Sequence, residues 1–93
     1  MVKVKFHTLF RRYAGIDELD VDVDQIDILG LLTRIKDILN DDIIFNKVIE
    51  TDGTLRKGII FLVNSQNILD LDNLNTVVKD NDVVSIFPPA GGG

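Results

Sequence analysis

Apolar and polar residues alternate over two segments near the start of the chain. In residues 2–7 the two valines and Phe6 face one side, and the two lysines and His7 face the other. Residues 17–24 repeat the pattern, with Leu19, Val21 and Val23 facing inward. A period of two is typical of half-buried strands, and the Ala14-Gly15 pair is a turn signal. The two segments therefore predict a β-hairpin, whose acidic second strand forms a charged sheet edge.

The spacing changes to that of an α-helix after residue 27. Asp27 is a suitable N-cap, and the helix is predicted to run from Ile28 to about Leu39. Its buried stripe is expected to contain Ile28, Leu31, Leu32, Ile35, Ile38 and Leu39. Residues 43–50 have an ambiguous pattern that is compatible with a short second helix.

Three further strands are predicted in the second half of the chain. Residues 59–63 are apolar on both faces, residues 67–69 form a short strand, and residues 83–87 are β-branched and aromatic. Residues 71–78 are expected to be irregular, with one tight helical turn around Leu74. The element order predicts an α+β fold of the β-grasp type. About five strands form a mixed sheet on one main helix, and the last strand is central, beside the first.

Composition limits the classes of function and partner that this chain can have. The 93 residues are enough for one small domain, and 15 acidic against 10 basic residues give a net charge of −5. An acidic chain disfavours nucleic acid as the main partner, because binding phosphates needs a basic surface. The absence of cysteine excludes disulfides and thiol chemistry and fits a cytoplasmic protein. We also expect no membrane partner, since no segment has the length and hydropathy of a membrane span.

The chain stops at Phe87-Pro88-Pro89-Ala90-Gly91-Gly92-Gly93. We expect residues 1–87 to form the domain and residues 88–93 to form a flexible tail. The prolines fix φ and stiffen the base of the tail, whereas the glycines can enter a narrow channel. Fully extended, the tail would reach on the order of 20 Å. A terminal carboxylate without a neighbouring side chain is then available for activation chemistry.

These features together resemble the ubiquitin-like sulfur-carrier family, which includes MoaD, ThiS, Urm and the small archaeal modifier proteins. The resemblance lies in the opening strand, in Leu62-Val63-Asn64, and most specifically in the segment from Val78 to Pro89 with four residues after the prolines. Asn81 replaces the usual turn glycine, which is acceptable because Asn enters the left-handed region more readily than most residues. His7 also differs from the family, because it stands where MoaD has a more apolar surface.

The resemblance implies a carrier rather than an enzyme. A partner activating enzyme, using ATP and magnesium that this chain does not hold stably, would adenylate Gly93. Sulfur transfer would then give a thiocarboxylate, or a lysine of a substrate protein would attack and form an isopeptide bond. Gly91 and Gly92 would serve as the thin tail. The implied partners are the activating enzyme and either a sulfurtransferase or the large subunit of molybdopterin synthase.

Several alternatives remain open at the level of sequence. The chain is interpreted as a modifier that also carries sulfur, as the small subunit of molybdopterin synthase, or as an interaction domain with an inert tail. Phe87 and Pro88, and less strongly Phe61 on the outer face, are candidate partner-binding residues. No metal site is expected: Asp20, Asp22 and Asp24 lack the later residues of a calcium loop, and His7 has no companion ligand.

Overall fold

A computed structural model describes residues 1–89. Helices and strands follow one another closely, and only the loop of residues 49–59 is long. In chain order the elements are β1 (Val2–Phe6), α1 (Leu9–Ala14), β2 (Glu18–Val21), β3 (Gln25–Asp27), α2 (Ile28–Leu39), α3 (Ile43–Val48), β4 (Ile60–Val63), β5 (Gln66–Asn67), β6 (Val77–Lys79) and β7 (Val83–Phe87), with 3₁₀ turns at Ile68–Asp70 and Asn73–Asn75.

Five strands form one mixed sheet in the order β2-β1-β7-β4-β5. The last strand, β7, is central, with β1 parallel on one side and β4 antiparallel on the other. This confirms the predicted β-grasp fold, including the hairpin of β1 with β2 and the charged edge strand β2. The pair of β3 with β6, a separate two-stranded sheet, was not predicted. Both are only three residues long, too short for alternation to be recognised.

The core lies between the inner face of the sheet and α2. The inward residues of β1 are at most 2% exposed, and the inward residues of β7, which are Val84 and Ile86, are 0% exposed. On the opposite side lies α2, which is preceded by Asp27. The Asp27 side chain accepts a hydrogen bond of 2.7 Å from the Gly30 backbone N–H. This confirms the predicted N-cap. The buried residues of the helix are Ile28, Leu31, Leu32 and Ile35.

Ile38 was wrongly placed in the buried stripe of α2. It is 46% exposed, whereas Leu39 beside it packs partly against the core. Ile38 lies on the flank of the stripe and in the last turn of the helix. Apolar spacing identifies a face, but it does not say how far the opposing layer extends.

Two short helices cover the end of the sheet from which the tail leaves. The first, α1, replaces the loop expected between β1 and β2, and it ends at Gly15, which has φ 76°. The Ala14-Gly15 pair is therefore the C-terminal end of a helix and not a simple turn. The second, α3, confirms the helix considered for residues 43–50. Phe10 of α1 and Ile44 of α3 are both buried.

Candidate functional site

The C-terminal end of β7 brings the predicted site to the surface. Burial alternates along this strand: Val84 and Ile86 are fully buried, whereas Ser85 and Phe87 are partly exposed on the outer face of the sheet. Phe87 therefore faces outward, as its position in the alternation predicts. Pro88 and Pro89 follow it directly and are also partly exposed.

Phe87 stacks on the imidazole of His7, which follows the neighbouring strand β1. The two ring centroids are 4.0 Å apart and the ring planes differ by 8°. The His7 backbone N–H donates to the Ile86 carbonyl over 3.2 Å, which holds the end of β1 beside the end of β7. Alternation along β1 predicted only that His7 faces the same side as the two lysines. Its contact with Phe87 depends on the register of β1 with β7, which no local pattern reveals.

Burial lowers the pKa of His7 below its ordinary value of 6.5, and the nearby charges of Arg11 and Lys5 lower it further. The ring is therefore neutral over a wider pH range than a free histidine. Its Nε2 atom is buried and has no hydrogen-bond partner among residues 1–89. A neutral imidazole packed flat against Phe87 behaves mainly as an extension of the apolar surface.

The placement of Phe61 on the outer face was wrong. Phe61 is 0% exposed, and it lies opposite the inward-facing Ile86 in the β4–β7 register. Its neighbours Ile60 and Leu62 face outward instead, with Ile60 39% exposed. Because residues 59–63 are all apolar, they carry no alternation that would say which of them face inward. Phe61 therefore belongs to the core and offers no surface to a partner.

Four of the outward-facing side chains, His7, Ile60, Leu62 and Phe87, are named here the outer-face patch. Ile60 lies directly opposite Phe87 in the antiparallel pair, and Leu62 lies opposite Ser85. Directly opposed residues on one face of a sheet have side chains in contact range. Ile60 and Leu62 are thus candidate site residues that sequence reasoning missed, because their orientation follows only from the register with β7.

The base of the tail rests against the loop that precedes β4. Gly58 has φ +87° and its backbone lies so close to Pro89 that an added Cβ would be 3.0 Å from the Pro89 Cβ. The Pro89 ring is consequently in contact with the loop, while Phe87, two residues earlier, is in contact with His7. The chain is held on two sides before it reaches residue 90.

A groove of about 770 Å³ opens beside Pro88 and Pro89. Its apolar lining comes mostly from α1 and α3 and from Ile59, and its basic residues are Lys47, Arg56 and Lys57. Arg56 is tied to the protein itself, since it pairs with Glu50 and its Nε donates to the Asn46 carbonyl over 2.8 Å. Lys47 lies over the Tyr13 ring, 5.9 Å from its centroid.

The other end of β7 is held by a polar turn. Asn81 has φ 73°, which confirms that it occupies the left-handed position of that turn. Asp82 accepts hydrogen bonds of 2.8 Å from the Asn64 side chain and from the Lys79 backbone N–H. Asn64 in turn accepts from the Val83 backbone N–H over 2.9 Å. This network joins the turn to the end of β4.

Within residues 1–89, no group of three or more His, Asp or Glu side chains is arranged to hold a metal ion. No helix in that same part is long and apolar enough to cross a membrane. The predicted site residues Gly91, Gly92 and Gly93 lie outside the described residues.

The fold and the exposed end of its central strand define a ubiquitin-like β-grasp protein. The chain belongs to the ThiS family, whose model matches residues 4–93. It is similar to a candidate sulfur carrier protein of Archaeoglobus fulgidus, with 30% identity over 82% of this chain and 84% of the relative. Small archaeal modifier protein 3 of Haloferax volcanii is 29% identical over 99% of this chain and 98% of its own.

The solution structure of small archaeal modifier protein 1 from Methanosarcina acetivorans has the same fold. The TM-score is 0.80 and the identity 30%, over 99% of this chain and 95% of that one. The predicted resemblance to ubiquitin-like sulfur carriers and modifiers is thereby confirmed at the level of the family.

Proposed function

We propose that this chain is a ubiquitin-like carrier, itself without catalytic residues, whose Gly93 carboxylate is activated by a partner enzyme. The observation that carries the proposal is the course of β7. This strand, the central one of the sheet, runs directly into the Phe87-Pro88-Pro89 base at the surface. A strand that is paired on both sides holds the base of the tail in a defined place on the surface. The match of the ThiS family through residue 93 supports the same reading.

The chemistry needs an activated acyl group, because a carboxylate is a poor acyl donor. In the proposed reaction, a Gly93 carboxylate oxygen attacks the α-phosphorus of magnesium-bound ATP, and pyrophosphate leaves. A sulfide equivalent then attacks the acyl carbon of the adenylate, AMP leaves, and a thiocarboxylate and a proton are formed. If a lysine amine attacks instead, the products are an isopeptide bond, AMP and a proton. The tail residues Gly91 and Gly92 lack side chains that would obstruct the nucleotide site.

The activating enzyme is proposed to bind the outer-face patch together with Pro88. Ile60 and Phe87 are partly exposed and lie in register beside the tail, so one apolar partner surface can cover both. Aromatic side chains at the centre of such a surface commonly supply a large part of the binding energy. Phe61, which lies in the core, is not part of this proposal.

Within this function, the modifier that also carries sulfur is favoured over a dedicated small subunit of molybdopterin synthase. The favouring observation is that one relative aligned over nearly the whole chain bears the name of a small archaeal modifier protein. The alternative remains the donation of sulfur to the large subunit of molybdopterin synthase, and the Phe-Pro-Pro ending followed by four residues supports it. Stable complex formation with that large subunit would favour the alternative.

The direct test is ATP–pyrophosphate exchange with the activating enzyme from the same cells. We expect exchange to depend on the full-length chain and to be lost when Gly93 is deleted or when one alanine is added after it. Asp72→Ala, a change in an exposed loop far along the chain from the tail, serves as the control and should leave exchange unchanged. Exchange that persists in the absence of Gly93 would contradict the proposal.

A further inference from the structure

Gly58 stands out among the glycines that have positive φ in residues 1–89. At Gly58 an added Cβ would meet the Pro89 Cβ at 3.0 Å and its Cγ at 3.3 Å. Gly53, in the same loop, has nearly the same φ, +89° against +87°, yet an added Cβ there would meet nothing within 4 Å. Gly15, with φ +76°, is equally open. A positive φ is therefore common to all three, and only Gly58 contacts the base of the tail.

The contact between Gly58 and Pro89 adds a further constraint on the base of the tail. Phe87 is fixed by the register of β7 and by its stack on His7. Pro88 and Pro89 have φ confined near −65°, so few backbone rotations are left between Phe87 and the ring of Pro89. The Pro89 ring then packs against the backbone of Gly58. A proline pair that ends against a surface restricts the direction of the residues after it.

We infer that Gly58 is a positioning residue that sets the direction in which the tail leaves the domain toward the activating enzyme. The inference rests on the proposed function, because it assumes that an enzyme bound at the outer-face patch takes Gly93 into its nucleotide site. A restricted tail loses less conformational freedom on binding than a freely rotating one. Each residue after Pro89 extends roughly 3.3–3.6 Å, so a change of direction at Pro89 displaces Gly93 by several ångströms.

Comparing Gly58→Ala with Gly53→Ala separates the effect of the contact with Pro89 from the effect of backbone strain at positive φ. Both place an L-residue at almost the same positive φ, so both should lower the free energy of unfolding, and the strain from that φ is matched between them. Only Gly58→Ala brings a methyl group against Pro89. We expect kcat/KM for ATP–pyrophosphate exchange to fall by about tenfold or more in Gly58→Ala and by less than about twofold in Gly53→Ala.

The loss should lie mainly in kcat, because the outer-face patch that governs binding is unchanged. Adding Pro89→Gly to Gly58→Ala removes the ring that the new methyl group meets, so the double variant should lose less than the product of the two single losses. Pro89→Gly alone also breaks the contact, from the tail side and without strain at residue 58. It keeps the inference testable if Gly58→Ala does not fold. Equal activity of Gly58→Ala and Gly53→Ala, or of Pro89→Gly and wild type, would overturn it.

A second measurement does not depend on activity. The chain has no cysteine, so Gly91→Cys gives one attachment point for a nitroxide spin label. We expect the label to broaden a localised set of backbone amide signals, and that set to change when Gly58→Ala is added but not when Gly53→Ala is added. The same broadening in all three proteins would overturn the inference. If the wild type shows no exchange with the enzyme, the proposed function fails, while the label still reports whether Gly58 directs the tail.

Discussion

The two ends of the central strand β7 are held by different kinds of interaction. At its start, Asp82 and Asn64 form a network of directional hydrogen bonds with the turn and with the strand β4. At its end, Phe87 stacks on His7, and Pro89 rests on Gly58. Beyond the backbone pairing, the side chains at one end are polar groups whose hydrogen bonds are satisfied within the domain, and those at the other end make apolar contacts that are partly exposed.

This difference separates stability from binding along one strand. Satisfied hydrogen bonds at the start of β7 contribute to folding and leave little for a partner to use. Partly exposed apolar side chains at its end still have area to bury, and burial of that area is what drives association. We therefore expect substitutions at the start of β7 to change stability, and substitutions at its end to change activation.

The largest effects are expected for alanine substitutions at two phenylalanines of adjacent strands. Phe87→Ala should raise KM for activation by about tenfold or more, because it removes the centre of the outer-face patch. It should lower the free energy of unfolding by only about 1 kcal/mol, mostly through the lost stack on His7. Phe61→Ala, the matched core substitution, should cost about 3–5 kcal/mol of stability. Steady-state exchange kinetics and urea unfolding measure the two effects.

The comparison fails if Phe87→Ala unfolds as readily as Phe61→Ala. It also fails if Phe87→Ala is activated with an unchanged KM, since Phe87 would then contribute nothing to binding.

A smaller effect is expected at the start of β7. Asp82→Ala removes the two acceptors for the Asn64 side chain and the Lys79 backbone N–H, and should lower the free energy of unfolding by about 1–2 kcal/mol. The kinetics of exchange should stay within about twofold of wild type, because the outer-face patch is untouched. Asp72→Ala is the control, since its side chain makes no capping hydrogen bond. A large loss of exchange in folded Asp82→Ala protein would show that the two ends are not separable.

The smallest effect is a pH dependence at His7. Its pKa is lowered in the folded protein, chiefly by burial and then by Arg11 and Lys5. The unfolded chain therefore binds more protons between the folded pKa and 6.5, and stability rises with pH through that window and levels off above it. His7→Phe keeps a ring against Phe87 without a titrating group. The unfolding free energy of His7→Phe minus that of wild type should fall as pH rises through the window, and a difference independent of pH would contradict this.

Alternation and helical spacing were sufficient to predict the hairpin and α2 with its Asp27 cap, and the order of the elements predicted the central place of β7. They failed where one element's orientation depends on another. In residues 59–63 every side chain is apolar, so the sequence pattern does not say which of them face inward. The register with β7 places Phe61 in the core and Ile60 on the outer face. The contact of Gly58 with Pro89 joins residues 31 positions apart along the chain, and a lone glycine in a loop gives no sign of it.

The central claim is that the last glycine of the sequence is an activated acyl group, and mass spectrometry tests it most directly. The protein would be recovered from its native cells under denaturing conditions, and both its own C-terminus and the lysines of co-purified proteins would be analysed. We predict a thiocarboxylate at Gly93, glycine-tail remnants on lysines of other proteins, or both. A free carboxylate throughout, unchanged after incubation with the activating enzyme and ATP, would contradict the claim.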